Sequence, residues 1–129
     1  MQLNNIINRI KQINLNIKFV GEFDENNQKI GYWEFYNRNG NLLLKGNYLN
    51  GLKDGYWEDY WLNGKIESKG TYLNGKRHGY WEFYWTNGYI WTKGNYINGI
   101  KDGYWDEYYA NGQIELKGTY INGIFHEIK

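Results

Sequence analysis

The tripeptide Gly-Tyr-Trp returns at Gly31, Gly55, Gly79 and Gly103, 24 residues apart each time, with no insertion between copies. A fixed period of this length marks a tandem array, in which each unit buries its apolar surface against its neighbours and none folds alone. Each copy reads Gly-Tyr-Trp-acid-X-Tyr-X-X-Asn-Gly-X-Ile/Leu-X-X-Lys-Gly-Asn/Thr-Tyr-Leu/Ile-Asn-Gly plus three linking residues. The full repeats are therefore 31–54, 55–78, 79–102 and 103–126.

Two Asn-Gly dipeptides punctuate each copy, as at Asn39-Gly40 and Asn50-Gly51. Asn-Gly between β-prone runs signals a hairpin, because both residues accept the positive φ of a type I′ turn. If Asn39-Gly40 is a two-residue loop, opposing residues sum to 79. Trp33 then faces Gly46, Glu34 faces Lys45, Phe35 faces Leu44 and Tyr36 faces Leu43. The acid–lysine pairing recurs as Glu58–Lys69, Glu82–Lys93 and Asp106–Lys117. Each such cross-strand pair contributes about 0.2–1 kcal/mol, and the fourfold agreement supports the register. Alternation separates a face with Trp33, Phe35, Leu44 and Tyr48 from one with Tyr32, Glu34, Tyr36 and Lys45. Glycine opposite tryptophan leaves floor for the indole. At the second turn, a four-residue loop from Asn50 to Lys53 preserves both faces without stagger. The fold class expected is mainly β: a single-layer antiparallel meander of hairpins with a short N-terminal capping helix.

That helix is read at residues 2–14, where Leu3, Ile6, Ile7, Ile10 and Ile13 recur at helical spacing. The organisation expected is a cap over 1–17 and the array over 18–129. Lys18–Phe23 resembles the second strand of a degenerate unit, and Phe125–Lys129 a truncated new strand. Aromatics at 20%, 17 glycines and no proline suit a ladder of strands and turns. The 15 basic and 14 acidic residues nearly cancel, which argues against nucleic acid as a partner. The chain has no cysteine, which excludes disulfides and thiol chemistry. No apolar run approaches the roughly 18 residues of a membrane span. A cytoplasmic protein is expected.

Reaction chemistry finds no footing in the pattern. The acids Glu34, Glu58, Glu82 and Asp106 each face a lysine, His78 and His126 lie far apart in sequence, and no nucleophile-elbow, phosphate-loop or zinc-peptidase motif occurs. The expectation is a non-catalytic protein with no metal and no cofactor.

The phased Gly-Tyr-Trp-Glu-X-Tyr, Asn-Gly, Lys-Gly-X-Tyr and Asn-Gly elements resemble the MORN family (membrane occupation and recognition nexus), in its bacterial variant repeat. The resemblance spans residues 31–124 in full and 18–30 in part. It implies a single-layer hairpin meander and non-catalytic roles: scaffolding, self-association, partner recognition and affinity for lipid headgroups. Bacterial members are often labelled antitoxins.

Residues that depart from the repeat identify the candidate contact surface, since the fold does not require them. Trp61 and Trp85 stand where the first copy has Asn37. Trp91 takes the position of Leu43, Glu67 and Glu115, and Tyr89 that of Asn41, Lys65 and Gln113. The pairing rule places Trp91 opposite Tyr84, on the tyrosine face. The expected anchors are Trp61, Trp85, Tyr89 and Trp91, flanked by Tyr60 and Tyr84, and the expected partner is another protein. Alternatives are a sugar, nucleotide or lipid headgroup stacked on the aromatics, or self-association through the strand edges Phe19–Phe23 and Phe125–Lys129. Trp33, Trp57, Trp81 and Trp105, present in every copy, are read as structural.

Overall fold

Each Asn-Gly turn reverses the chain beside the strand just completed, so the sheet grows in sequence order. A computed structural model describes residues 10–12 and 17–129. Among these, eleven strands form one antiparallel sheet in the order β1 to β11. They are β1 (Ile10–Gln12), β2 (Ile17–Phe23), β3 (Lys29–Asn37), β4 (Leu42–Leu49), β5 (Leu52–Tyr60), β6 (Ile66–Leu73), β7 (Lys76–Tyr84), β8 (Ile90–Ile97), β9 (Ile100–Tyr108), β10 (Ile114–Ile121) and β11 (Ile124–Glu127). This is the open meander that the repeat predicts. The capping helix expected over residues 2–14 falls outside the described residues, except at Ile10–Gln12. Those three residues are a strand paired with β2, whose outer edge would otherwise lack a ladder partner.

The turns correct the expected loops. Asn50 and Gly51 have φ of 52° and 80°, and Leu49 pairs with Leu52, so the second turn has two residues rather than four. The residues released reappear as a bulge at Gly55 and Tyr56, where the register jumps from Asn47↔Asp54 to Gly46↔Trp57. Gly55 takes the positive φ, 75°, that the bulge requires. Beyond it the register is the one a four-residue loop would have given. The first turn is longer than expected. Asn37 N–H donates to the Asn41 carbonyl at 2.9 Å, and only Gly40 of the Asn39-Gly40 pair has positive φ. A bulge at Leu43 follows, so Phe35 still faces Leu44 but Tyr36 faces Leu42 instead of Leu43.

The seam between units carries the contacts expected within them. Trp33 and Gly46 are cross-strand partners as predicted, yet the indole lying over Gly46 is that of Trp57. Trp33 reaches back over Gly21, Trp81 over Gly70 and Trp105 over Gly94. The indole N–H decides the direction. Trp57, Trp81 and Trp105 donate to the carbonyls of Asn47, Thr71 and Asn95 at 2.9, 2.9 and 3.1 Å, beside the register break on the preceding strand. The ion pairs shift likewise. Lys45 is flanked by Glu34 and Glu58, and its ammonium sits 3.6 Å from Glu58; Lys69 meets Glu82 at the same distance. In a sheet one layer thick, these indoles are the core. Trp33 and Trp57 have no exposed surface.

Candidate functional site

On the tryptophan face, indoles alternate with tyrosines in edge-on contact, as in Tyr48–Trp57 at 5.0 Å, Tyr72–Trp81 at 5.1 Å and Tyr96–Trp105 at 5.2 Å. A row of cations covers them. Lys53 lies 4.6 Å from the Trp57 ring, the Arg77 guanidinium 4.9 Å from Trp81, and Lys101 4.5 Å from Trp105. Their aliphatic stems shield the rings where a second protein layer is lacking. The repeat signals this row, since Lys29, Lys53, Arg77 and Lys101 recur in phase, but it lies in residues that read as mere linkers.

The opposite face is a ladder of carboxylate clamps. Glu34 accepts from the hydroxyls of Tyr32 and Tyr36 at 2.8 and 2.7 Å, and Glu58 and Glu82 are held the same way by Tyr56 with Tyr60 and by Tyr80 with Tyr84. The phenols of Tyr36 and then Tyr32 hold the Glu34 carboxyl below its usual value. At Glu58 and Glu82 burial works the other way, but the two phenols and the neighbouring lysine outweigh it. Each of these three acids is thus engaged by two phenols.

At the first-turn end the copies differ most. Phe83, Trp85 and Trp91 of the third copy meet Trp61 and Glu67 of the second around a cleft of 160 Å³, with Tyr84 on its border. Trp91 does not lie opposite Tyr84, as the pairing rule implied. Tyr84 pairs with Ile90 and Phe83 with Thr92, which leaves Trp91 as the bulged residue. The bulge re-aims its side chain onto the tryptophan face. There its ring lies 6.3 Å from Phe83 and 5.6 Å from Trp85. Phe83 in turn stacks on Trp81 at 5.8 Å, so the cleft rests directly on the core.

The structure thus gathers four of the six expected site residues, Trp61, Tyr84, Trp85 and Trp91, and leaves two outside. The Tyr60 hydroxyl is bound to Glu58 on the clamp face, and Tyr89 projects exposed beside Gly112 of the following turn. The Tyr84 hydroxyl is likewise engaged, donating to Glu82 at 2.5 Å. Trp85 is anchored by its indole N–H to the Tyr108 carbonyl at 3.1 Å, whereas the buried Trp61 indole N–H has no acceptor among the described residues. Sequence reasoning missed Glu67 and Phe83. Glu67 occupies the same bulge position as Trp91, so the copy-to-copy comparison that singled out Trp91 would have found it if applied to acids. Burial, followed by the charge of Asp59, raises its carboxyl above the ordinary value. Asp59 is also raised by burial, against the opposing pull of Lys53 and Arg77.

Among the described residues, no group of three or more His, Asp or Glu side chains could hold a metal, and no helix is long and apolar enough to cross a membrane. No curated protein sequence matches the chain. The profile of the family described as MORN repeat variant matches residues 29–50, 53–74, 77–98 and 101–122, each match opening on the basic residue that covers an indole. These tandem matches take in most of the sheet, and the chain belongs to the MORN repeat variant family.

Proposed function

We propose that this is a non-catalytic binding module that holds another protein through the aromatic cleft between its second and third repeats. The observation that carries the reading is the convergence of Trp61, Trp85 and Trp91, none fixed by the repeat, on one cleft. Whole small-molecule pockets run to about 300–1,000 Å³, and this cleft measures 160 Å³. The size suits a single anchoring side chain better than an entire ligand. The expected compartment is the cytoplasm, and an inhibitor-like or antitoxin-like role would follow from the partner's identity.

The test is affinity capture on immobilised wild-type protein from its native source, repeated with Trp91→Ala and Trp85→Phe, with melting curves to verify folding. The Trp91 ring is 41% exposed and packs on Phe83 and Trp85, so the melting curves separate a loss of contact with the partner from a loss of fold. A true anchor loses about 2 kcal/mol or more on truncation, roughly 30-fold in affinity. A partner retained equally by wild type and both variants refutes the site.

A further inference from the structure

The row crossing the cleft alternates in chemistry from copy to copy. Phe35, Asp59, Phe83 and Glu107 share one position of the repeat, and Leu43, Glu67, Trp91 and Glu115 share another. The third copy is therefore wholly aromatic at these two positions, and the copies on either side are wholly acidic. The strand register places Phe83 between Ser68, whose other neighbour is Asp59, and Thr92, whose other neighbour is Glu107. An aromatic platform with acids on both flanks is complementary to a positive group, whose attraction to the ring faces adds to that of the carboxylates.

The compensation of these charges is uneven. Asp59 faces Lys53 and Arg77, and the Arg77 guanidinium already lies 5.1 Å from the Phe83 ring. Glu67 has no such partner: among the described residues no ion pair or hydrogen bond engages its carboxylate, and the charge that bears on it is the like charge of Asp59. Among the described residues that line the cleft it is the one carboxylate. Glu34, Glu58 and Glu82, by contrast, are each held by two phenols. A partly buried carboxylate left unpaired among indoles costs stability in the free protein, and a cation placed against it would remove that cost.

We propose that the cleft receives a basic side chain of the partner protein, arginine or lysine, with Glu67 as its counter-charge and Trp85 and Trp91 as its aromatic walls. This rests on the docking reading above and specifies the partner's chemistry. A water takes up about 30 Å³, so the cleft has room for about five waters or one guanidinium-sized group. The Trp61 indole, which lacks the anchor of Trp85, can turn its N–H towards a main-chain carbonyl of the incoming segment without breaking a bond.

The full chain would be titrated with N-acetyl-arginine methylamide, with N-acetyl-lysine methylamide and with the neutral citrulline counterpart, following the tryptophan indole N–H signals by NMR. The proposal expects saturable shifts at Trp61, Trp85 and Trp91 with at least one basic probe and none with citrulline. Glu67→Gln should weaken that binding roughly tenfold. Glu115→Gln, at the same repeat position but outside the cleft, should leave it unchanged. Citrulline binding as well as arginine, or Glu67→Gln binding as well as wild type, overturns the proposal. Sedimentation with phosphatidylcholine vesicles that is lost in Glu67→Gln would assign the site to a lipid cation and overturn the peptide assignment. If the basic probes fail while Trp91→Ala still abolishes partner capture, the counter-charge inference falls and the docking reading stands. If capture survives the tryptophan substitutions, the docking reading itself falls.

Discussion

Gly70→Ala tests directly whether indoles laid over glycine hold the array together. A methyl at Gly70 would stand 2.3 Å from the Trp81 ring, against about 3.5 Å for ordinary carbon contact, so the ring must lift by roughly 1.2 Å. A gap of that order forfeits about half of the dispersion between ring and sheet. A buried tryptophan covers about 200 Å² at about 25 cal/mol per Å², so about 5 kcal/mol is at stake and about 2–3 kcal/mol is lost. That agrees with the roughly 1–3 kcal/mol typical of overpacked cores. Lifting the ring also strains the Trp81 N–H bond to the Thr71 carbonyl, now 2.9 Å. Opposing this, alanine restricts the unfolded chain, a gain of about 0.4–1 kcal/mol where φ permits, and Gly70 does not have positive φ. The net expectation is a loss of about 2 kcal/mol. Urea unfolding followed by both tryptophan fluorescence and circular dichroism measures it, with coincident curves required because repeat arrays can unfold in stages. An unfolding free energy within about 0.5 kcal/mol of wild type would refute the packing argument, as surface substitutions stay within that range.

Further outcomes can be checked on the same protein. Gly75→Ala, at φ 80° in a two-residue turn, should cost about 1–2 kcal/mol from backbone strain in the same urea assay. Glu67→Gln should raise the melting temperature at neutral pH, because an unpaired carboxyl whose value is raised by burial and by Asp59 is unfavourable when ionised; a lower melting temperature would show that Glu67 is paired after all. Glu34, Glu58 and Glu82 are held below the ordinary 4.5, so the stability they add is present above that pH and is lost as pH falls through their lower folded values. Acid melts of Glu58→Gln should accordingly show a shallower pH dependence than wild type. Burial and then the hydrogen bond to Glu34 push Tyr32 up to about 12, and Tyr56, Tyr60, Tyr80 and Tyr84 are raised in the same way. Their contribution is complete below pH 10 and disappears as pH rises through the folded values. Phenolate absorbance should therefore show these tyrosines ionising late, together with unfolding, and a single transition of all phenols near pH 10 would contradict the clamps.

The candidate contact surface was partly legible in the chain. Trp61, Trp85 and Trp91 announce themselves as departures from an otherwise strict repeat, and these three of the four expected anchors line one cleft. Tyr89 departs just as clearly and lies elsewhere, because an extra aromatic in a turn has no neighbouring strand to direct it. The face occupied by Trp91 could not be read by counting residues. One bulged residue reverses the alternation from which the count proceeds, and neither Leu43 nor Glu67 nor Trp91 carries a mark that identifies it as bulged.

Period, strand order and body register were set by the amino-acid sequence alone, because Asn-Gly turns and alternating side chains are local properties that each copy repeats. Trp33↔Gly46 and Glu34↔Lys45 follow from that arithmetic. Tertiary structure decided which neighbour each long side chain reaches. A strand inside a sheet has partners on both sides, and pairing rules give both without ranking them. The ranking came from three-dimensional features: a register break that sets a carbonyl beside the indole N–H on the preceding strand, and side-chain geometry that brings the Lys45 and Lys69 ammoniums within 3.6 Å of the acid across the seam. Those contacts bind unit to unit, and by the same seam they set Glu67 of one copy against the tryptophans of the next.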